Sequence, residues 1–447
     1  MYRMVKVADS DTDFQRIVWR FDPSTPIQCY KLLRLTFGTA CAPYLAVKVL
    51  HRLAELEEKK YPLAAKITKQ CYYMDDLLAG CDTVDEAIKI YEEMNELMRS
   101  GGFELQKWSS NNYEFLEQIG KTESSDSSTV KLNDIIKVLG LRWNRKNDNF
   151  EYVVNLPESK NIVTKRQVLS EVARLYDPLG WIAPVVVKAK IFIQKLWKSG
   201  LGWDENLMDE LLSEWLKYRQ ELIDFENLKI PRWINFTQEC KRELHVFSDS
   251  SKSAFAAAVY IRVIDSSNRV HVHLLSAKTR VAPIIKEISI PRLELSGATL
   301  AAKLICEVSQ VLEVPREHMY GWTDSTIVLA WLKGGSSRWA TFVSNRVSTI
   351  LNIMDYHQWG HVSSETNPAD CASRGLKPRE LSEHSLWWRG PHWLSEPTIP
   401  TESKLIEDTH EELRIQSLSV VAEVNEEFIW EDYSFNGSAT RGKVETQ

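Results

Sequence analysis

The stretch LHVFSDSSKSAFAAAVY, residues 244–260, decides how the C-terminal half of this chain folds. An apolar strand ends at Asp249, a polar turn follows, and a second strand is predicted at 256–263. A third strand is predicted at 270–276. A helix at 293–312, a strand at 319–323 and a helix at 326–332 come next. Three strands in a run, followed by strand–helix alternation, predict a mixed sheet with helices packed against it.

Four carboxylates fall at the ends of these predicted elements. Asp249 and Asp324 each follow a strand, in LHVFSDSS and YGWTDST. Glu294 lies one turn into a helix, in PRLELSGA, and Asp370 stands near the start of another, in ETNPADCASRG. If they meet at one edge of the sheet, the four cannot all stay anionic without cations. Two magnesium ions, roughly 4 Å apart, are the usual arrangement for in-line phosphodiester hydrolysis.

Each carboxylate also has a purely structural explanation. An aspartate after a strand is most often a turn or cap residue, and a glutamate in a first helical turn usually complements the helix dipole. Composition and spacing alone favour these structural roles over a nuclease.

The segments VFSDSSKSAFAAAVY, ISIPRLELSGATLAAKL, WTDSTIVLAWL and NPADCASRG resemble, in this order, the ribonuclease H domain of BEL/Pao-type retrotransposon polyproteins. The resemblance implies that Asp249, Glu294, Asp324 and Asp370 are catalytic and bind Mg²⁺ or Mn²⁺. It also implies that His361 assists turnover, although an ordinary surface histidine is an equally good interpretation. The implied activity is that of an endonuclease, a hydrolase that cuts the RNA of RNA–DNA hybrids, recognised by backbone shape and 2′-hydroxyl contacts.

A second candidate site lies near the N-terminus, in the four residues Tyr73, Met74, Asp75 and Asp76. Adjacent aspartates in a tight turn can hold a divalent metal against a nucleotide triphosphate, and a plain solvated turn is the alternative interpretation. Segments in the same order resemble the palm of a reverse transcriptase of this family: LTFGTACAPYLA (35–46), GGFELQKWSSN (101–111) and VLGLRW (138–143). Residues 164–197 resemble its thumb and connection region, and LWWRGPHWL (386–394) resembles the stretch before the integrase.

One departure from that family concerns the third carboxylate that a palm needs. It would precede a segment like MYRMVKV, which here begins at residue 1 and is predicted to be a strand. Asp9, Asp11 and Asp13 lie in a predicted turn after that strand and are poor substitutes. We therefore expect no reverse transcriptase (RNA-directed DNA polymerase) activity from this chain alone. Asp75 and Asp76 are expected to be a polymerase remnant, and the incomplete palm is expected to expose apolar surface.

The predicted fold class is mixed α/β and multidomain. The expected units are a partial reverse transcriptase palm (1–155), a thumb or connection region (156–239), a ribonuclease H-like mixed sheet with flanking helices (240–380) and a partly disordered tail (381–447). Within the tail, much of residues 400–447 is expected to be poorly ordered.

Composition fits an intracellular nucleic-acid enzyme only in part. The 447 residues carry a net charge of −6 rather than the usual basic balance, but acidic residues concentrate in the tail. The seven cysteines form no CxxC pair, which favours reduced thiols in the cytoplasm or nucleus. No signal peptide and no apolar run of membrane-spanning length is expected, so no membrane partner is either.

A local basic stretch is a candidate for tracking a phosphate backbone, although a solvated helix face is the better interpretation. It comprises Lys165, Arg166, Lys188, Lys190, Lys195 and Lys198. The expected partners are an RNA–DNA hybrid, other nucleic acid and other polyprotein products. The alternatives to a nuclease are a non-catalytic nucleic-acid-binding fragment and a domesticated relic of a transposable element.

Overall fold

The computed structural model describes residues 1–122, 134–158, 162–237, 239–284, 287–399 and 407–414. Its N-terminal part contains two small hairpins and four helices. The strands are β1 (Arg16–Trp19), β2 (Gln28–Lys31), β3 (Tyr72–Tyr73) and β4 (Asp76–Leu77). The helices are α1 (Ala42–Glu57), α2 (Pro62–Cys71), α3 (Val84–Ser100) and α4 (Tyr113–Thr122).

The predicted first strand was wrong. Residues 2–4 and 9–15 form 3₁₀ turns, and only an isolated bridge from Lys6 to Arg34 is extended pairing. Tyr2 and Val5 are both buried. A spacing of three suits one face of a helical turn, whereas a strand would place these two side chains on opposite faces.

Helix α1 shows why this part folds as a small helical layer. Ala42, Ala46, Leu50 and Ala54 are buried at a spacing of four, which forms one stripe along the helix. The sequence predicts Thr83 or Asp85 as the N-cap of helix α3. In the structure the cap is Thr83, whose hydroxyl accepts the Glu86 N–H at 3.2 Å.

A four-stranded antiparallel sheet follows, with three helices. Its strands are β5 (Ile135–Val138), β6 (Leu141–Asn144), β7 (Asn149–Glu151) and β8 (Lys229–Pro231), and its helices are α5 (Lys165–Val172), α6 (Ala183–Lys198) and α7 (Asp209–Glu221). One strand was predicted over 136–143. The structure has a hairpin instead, because Leu139 and Gly140 both adopt positive φ and turn the chain.

The C-terminal half is built on a five-stranded mixed sheet. Its strands are β9 (Lys241–Ser250), β10 (Ala254–Ile264), β11 (Val270–Val281), β12 (Met319–Thr323) and β13 (Trp359–His361). The order is β11-β10-β9-β12-β13, antiparallel from β11 to β9 and parallel from β9 to β13. The helices are α8 (Ile290–Leu312), α9 (Thr326–Lys333), α10 (Thr341–Ile353), α11 (Pro368–Arg374), α12 (Pro378–Glu383) and α13 (Ser385–Arg389). The mixed α/β class is confirmed.

Both faces of this sheet are covered. Val246 and Val259 point into a core shared with α8, α9 and α10. Their neighbours Phe247 and Tyr260 point into a core on the opposite face, shared with α6, α11 and α13. Strands buried on both faces lack the alternation of polar and apolar residues, which explains the nearly continuous apolar composition of β10.

Helix α6 of the predicted connection region therefore packs directly on this sheet. Phe192 of α6 belongs to the same core as Phe247, and the Trp387 indole donates to the Trp181 carbonyl at 2.8 Å. The domain boundary predicted between residues 239 and 240 divides the sequence without dividing this core. The domain limits stay predictions.

The segment DPLG (177–180), predicted as a break between helices, lies along the outer edge of β11. The Ala277 N–H donates to the Leu179 carbonyl at 2.8 Å. Gly180 has φ +76°, and a Cβ there would overlap the Ala277 carbonyl oxygen. Glycine is required at this position both by the dihedral angle and by the close approach of the two backbones.

One further expectation, on apolar runs of membrane-spanning length, needs correction. Helix α8, with 23 residues, is long and apolar enough to cross a membrane by length and composition, which the sequence reading had excluded. It packs as a core helix against β9 and β10. The predicted tail also contains ordered elements: α13 carries the fully buried Trp387, and residues 407–414 pack on the sheet's helical layer. Residues 400–406 and 415–447 lie outside the described part of the chain.

Candidate active site at the carboxyl edge of the sheet

The four predicted carboxylates converge on one edge of the five-stranded sheet. Asp249 lies at the end of β9, and Asp324 directly follows β12, which pairs in parallel with β9. Glu294 stands in the first turns of α8, and Asp370 in the first turn of α11. The carboxyl ends of adjacent parallel strands meet at one edge, and this geometry brings the two aspartates together.

Close backbone packing places α8 over this edge. Gly297 of α8 faces β9, and a Cβ at that position would lie 3.1 Å from the Asp249 carbonyl oxygen. Helix α11 is fixed by the fully buried Asn367, whose side-chain amide donates to the Ser248 carbonyl at 3.0 Å and whose oxygen accepts the Ala369 N–H. The positions of Glu294 and Asp370 are therefore set by contacts with β9.

The carboxylates interact electrostatically, and three of them have raised pKa values. Burial raises the pKa of Asp249 to about 7, and the negative charges of Asp324 and Asp370 contribute to the increase. Burial, with Asp324 as a further cause, also raises the pKa of Glu294. Burial and Asp324 likewise raise the pKa of Asp370, although the Arg374 guanidinium opposes this. Asp324 is thus the neighbour that the other three carboxylates share.

Each carboxylate has its own hydrogen-bond donor. The Ser373 hydroxyl donates to Asp249, the Ser325 hydroxyl to Glu294 at 2.5 Å, and the Ser364 hydroxyl to Asp324 at 2.5 Å. Arg374 Nε lies 2.6 Å from an Asp370 oxygen. Sequence reasoning missed these partners, although each lies in a quoted motif or a few residues from one.

The predicted metal-binding role of the four carboxylates stays a prediction. Among the described residues, no group of three or more His, Cys, Asp or Glu side chains is arranged to hold one ion. Each of the four carboxylates has a local donor, namely Ser373, Ser325, Ser364 or Arg374. One oxygen is an exception: Asp324 Oδ1 is buried and accepts no hydrogen bond from the described residues.

A divalent cation nevertheless fits the chemistry of this edge. The donors are all carboxylate oxygens, which Mg²⁺ prefers. A buried acceptor without a donor and three carboxyl groups with raised pKa values are conditions that a cation would relieve.

His361 ends β13, where it pairs in register with Thr323, the residue before Asp324. It is half-buried. The structure thus places the predicted histidine at the same edge of the sheet as the carboxylates, and its role stays a prediction.

The other predicted site forms a minimal hairpin. Tyr73 pairs with Asp76 across a turn in which Met74 has φ +55°. Tyr73 and Asp75 are exposed, and Asp75 lies 3.7 Å from the amino group of Met1. Asp13 instead pairs with Arg16 and Lys31, so the N-terminal aspartates do not complete a three-carboxylate site among the described residues.

The predicted basic stretch does not form one free surface. Lys165 is buried against the Leu201 carbonyl and the Trp197 ring, Arg166 pairs with Asp204 at 2.8 Å, and Lys195 pairs with Glu214 at 2.6 Å. These contacts support the structural interpretation of the stretch.

Comparison with known proteins identifies part of the chain. Residues 164–325 match the model of the Pao retrotransposon-like RNaseH-like domain, so the chain contains a Pao-type RNase H-like region. The match begins at the start of α5, which agrees with the packing of the connection helices on the sheet. No curated protein matches the chain. The predicted palm and thumb stay predictions.

Similar solved structures include three RNase H proteins. The N-terminal RNase H domain of a Mycobacterium tuberculosis protein, fused to maltose-binding protein, is 11% identical (TM-score 0.20; 30% of this chain and 94% of that one). RNase H1 of Halobacterium salinarum is 17% identical (0.19; 29% and 89%). LC11-RNase H1 in complex with an RNA/DNA hybrid is 12% identical (0.21; 29% and 91%).

Proposed function

We propose that this chain is a fragment of a retrotransposon Pol protein that hydrolyses the RNA strand of RNA–DNA hybrids in the presence of Mg²⁺. The observation that carries the proposal is the convergence of Asp249, Glu294, Asp324 and Asp370 at one sheet edge, within and beside the region that matches the Pao-type model. A solely structural set of turn and cap residues would have no reason to gather four acidic groups where burial and mutual repulsion penalise their charges.

Asp249, Asp324, Glu294 and Asp370 are the residues that would hold the cation. Magnesium bound there would activate a water molecule and stabilise the departing 3′ oxygen. The Ser373 and Ser325 hydroxyls orient Asp249 and Glu294, and Ser364 holds one oxygen of Asp324 while the other stays available. We propose that His361, at the adjacent strand end, assists turnover.

The test is cleavage of a labelled RNA–DNA hybrid by the full chain with Mg²⁺, beside Asp249→Asn. The matched control is Asp204→Asn, which removes an exposed carboxylate paired with Arg166 on the distant connection surface. We expect cleavage by the wild type and the control and none by Asp249→Asn. Absence of cleavage by a folded wild-type chain would refute the proposal.

A second candidate function is nucleic-acid binding without turnover. It is favoured by the side-chain positions, because Asp370 is already paired with Arg374 and the carboxylates do not form a ligand set among the described residues. Hybrid binding without cleavage, at saturating Mg²⁺ or Mn²⁺, would select this alternative.

For the N-terminal part, we propose an incomplete polymerase palm whose Asp75 and Asp76 are a remnant site. The support is the hairpin with the aspartates at its turn, packed near α1 and α2. A primer-extension assay with the full chain should show no nucleotide incorporation, and incorporation abolished by Asp76→Asn would refute this proposal.

A further inference from the structure

An acidic segment, residues 407–414, lies across the helical layer of the sheet. Asp408 accepts two hydrogen bonds from the Arg338 guanidinium, at 3.0 and 2.7 Å. Glu412 accepts two from Arg292, at 2.6 and 2.9 Å. Both carboxylates are therefore held in the planar two-point geometry with which arginine also binds phosphate.

Backbone contacts fix this acidic segment between the two ion pairs. The Trp331 indole donates to the Glu411 carbonyl at 3.2 Å, and the Ala340 N–H donates to the Glu412 carbonyl at 2.7 Å. The Arg414 N–H donates to the Arg338 carbonyl at 3.0 Å. The segment, which turns at Glu412 (φ +64°), is thus held by backbone hydrogen bonds as well as by its two ion pairs.

The surface beneath it combines arginines with aromatic rings, and we name it the arginine surface: Arg292, Arg338, Arg346, Trp339 and Phe342. The guanidinium groups of Arg292 and Arg346 lie 5.0 and 3.5 Å from the Phe342 ring centre, and Arg338 lies 5.0 Å from that of Trp339. Stacking holds each guanidinium plane in place, which lowers the entropy lost when an anion binds.

The arginine surface and the candidate active site share helix α8. Arg292 and Glu294 share the first turns of α8. Helix α9, which carries Trp331, begins directly after Asp324 and Ser325.

We propose that the arginine surface binds backbone phosphates of a nucleic-acid substrate and that the acidic segment competes with it for this surface. The proposal rests on the proposed function for the identity of the substrate, an RNA–DNA hybrid. In the structure the carboxylates of Asp408 and Glu412 occupy the positions that two phosphates would take. The acidic segment therefore reduces hybrid affinity until the substrate displaces it.

The test measures binding of a fluorescent RNA–DNA hybrid to the full chain in Ca²⁺, by anisotropy. The release variant is Asp408→Asn with Glu412→Gln. The matched control is Glu407→Gln with Glu411→Gln, which removes the same two charges from the same segment but leaves both described ion pairs of Arg292 and Arg338 intact. The two variants have equal net charge. A difference in hybrid affinity between them therefore reports competition for Arg292 and Arg338 rather than a change in overall charge.

We expect the release variant to bind the hybrid about five-fold more tightly than the wild type, whereas the control should stay within about two-fold, since exposed ion pairs are individually weak. The affinity of the release variant should also fall more steeply with salt than that of the wild type. The slope of log affinity against log salt concentration should change by up to about 2, because two arginines now contact phosphates. Adding Arg338→Gln to the release variant should remove about half of this extra slope.

Equal binding by the release and control variants would overturn the inference and leave the proposed function standing. If the release variant binds more tightly but no protein cleaves the hybrid, the inference stands and the proposed nuclease activity fails. If none of the proteins binds the hybrid, both are overturned. Amide exchange at Ala340 and Arg414 reports whether the acidic segment is displaced, since both N–H groups bond across this contact.

Discussion

The two aspartate sites of this chain differ in the secondary structure that carries them and in their burial. Asp75 and Asp76 lie at the turn of a hairpin with two residues in each strand, and the Asp75 side chain is 60% exposed. Asp249 ends a ten-residue strand at the centre of a five-stranded sheet and is only 4% exposed. The first pair is exposed to water, whereas Asp249 is buried and the other three carboxylates of the second site are partly buried.

The difference teaches what an acidic motif needs before it becomes a site. At the sheet edge, burial raises the pKa of Asp249 to about 7, and the neighbouring carboxylates add to the increase. A bound cation would offset this cost of ionising Asp249. At the hairpin, Asp75 and Asp76 are exposed, so their charges carry no comparable cost of burial that a cation would relieve.

The largest expected effect that sharpens this comparison is on catalysis. Asp249→Asn should lower the rate of hybrid cleavage by at least about 1000-fold, equivalent to about 4 kcal/mol of transition-state stabilisation, because a ligand of the activating cation is lost. The measurement is single-turnover cleavage with enzyme in excess. A reduction of less than ten-fold would show that Asp249 is not at the reacting centre.

The second prediction compares one glycine from each region. Gly102 and Gly180 have nearly the same φ, +75° and +76°, but only Gly180 approaches another backbone. Gly102→Ala should cost about 1 kcal/mol in the free energy of unfolding, from the left-handed conformation alone. Gly180→Ala should cost about 3 kcal/mol or more, since the added methyl group must also push β11 away. Urea unfolding followed by tryptophan fluorescence measures both. Equal costs would refute the docking of 177–180 on β11.

Much of the sheet could be predicted from the sequence, and the reason is physical. Strand β12 and helix α9 were predicted almost to the residue, because apolar runs bounded by Asp324 and glycine leave little choice of register. The convergence of the four carboxylates followed from the placement of Asp249 and Asp324 at strand ends. Local pattern and global fold agree there.

Other features could not be predicted, because they depend on contacts between distant segments. The hydroxyl of Ser373 reaches Asp249 only after α11 has packed on β9, more than a hundred residues away in sequence. The packing of α6 and α13 on the sheet likewise depends on contacts between distant segments. The apolar face of a helix shows that the helix packs on something, but not which element it packs on. Helix α10 was missed although Val343, Val347 and Ile350 recur at helical spacing, and its N-terminus carries no capping side chain that would mark the start.

The third prediction uses a buried carboxylate outside the site. Asp177 accepts the Tyr152 hydroxyl at 2.9 Å and the Ile182 N–H at 3.0 Å, yet burial raises its pKa to about 6 from an ordinary 3.8. Because the folded pKa lies above the unfolded value, this group stabilises the fold fully below pH 3.8 and loses that contribution as the pH rises through 6. The wild type should lose about 2 kcal/mol of stability across this window relative to Asp177→Asn.

Melting temperatures of both proteins between pH 4 and 7 check this prediction. Tyr152→Phe is the matched variant, and it should make stability depend more strongly on pH, whereas Asp177→Asn should make it depend less. The reason is that Tyr152→Phe removes a hydrogen-bond donor that favours the charged carboxylate of Asp177. It should lose more stability at pH 7 than at pH 4. Parallel pH profiles for all three proteins would contradict the assignment to Asp177.

The smallest expected effect lies at the hairpin and is the strictest test of the comparison. Asp75→Asn combined with Asp76→Asn should change the free energy of unfolding by less than about 0.5 kcal/mol, as is usual for exposed positions. It should leave both hybrid cleavage and the stabilisation of the chain by Mg²⁺ unchanged, whereas Asp249→Asn should abolish the latter. Melting curves with and without Mg²⁺ separate the two sites. If the hairpin variant loses the Mg²⁺-dependent increase in melting temperature, then exposed adjacent aspartates suffice to bind the cation, and burial is not what distinguishes the two sites.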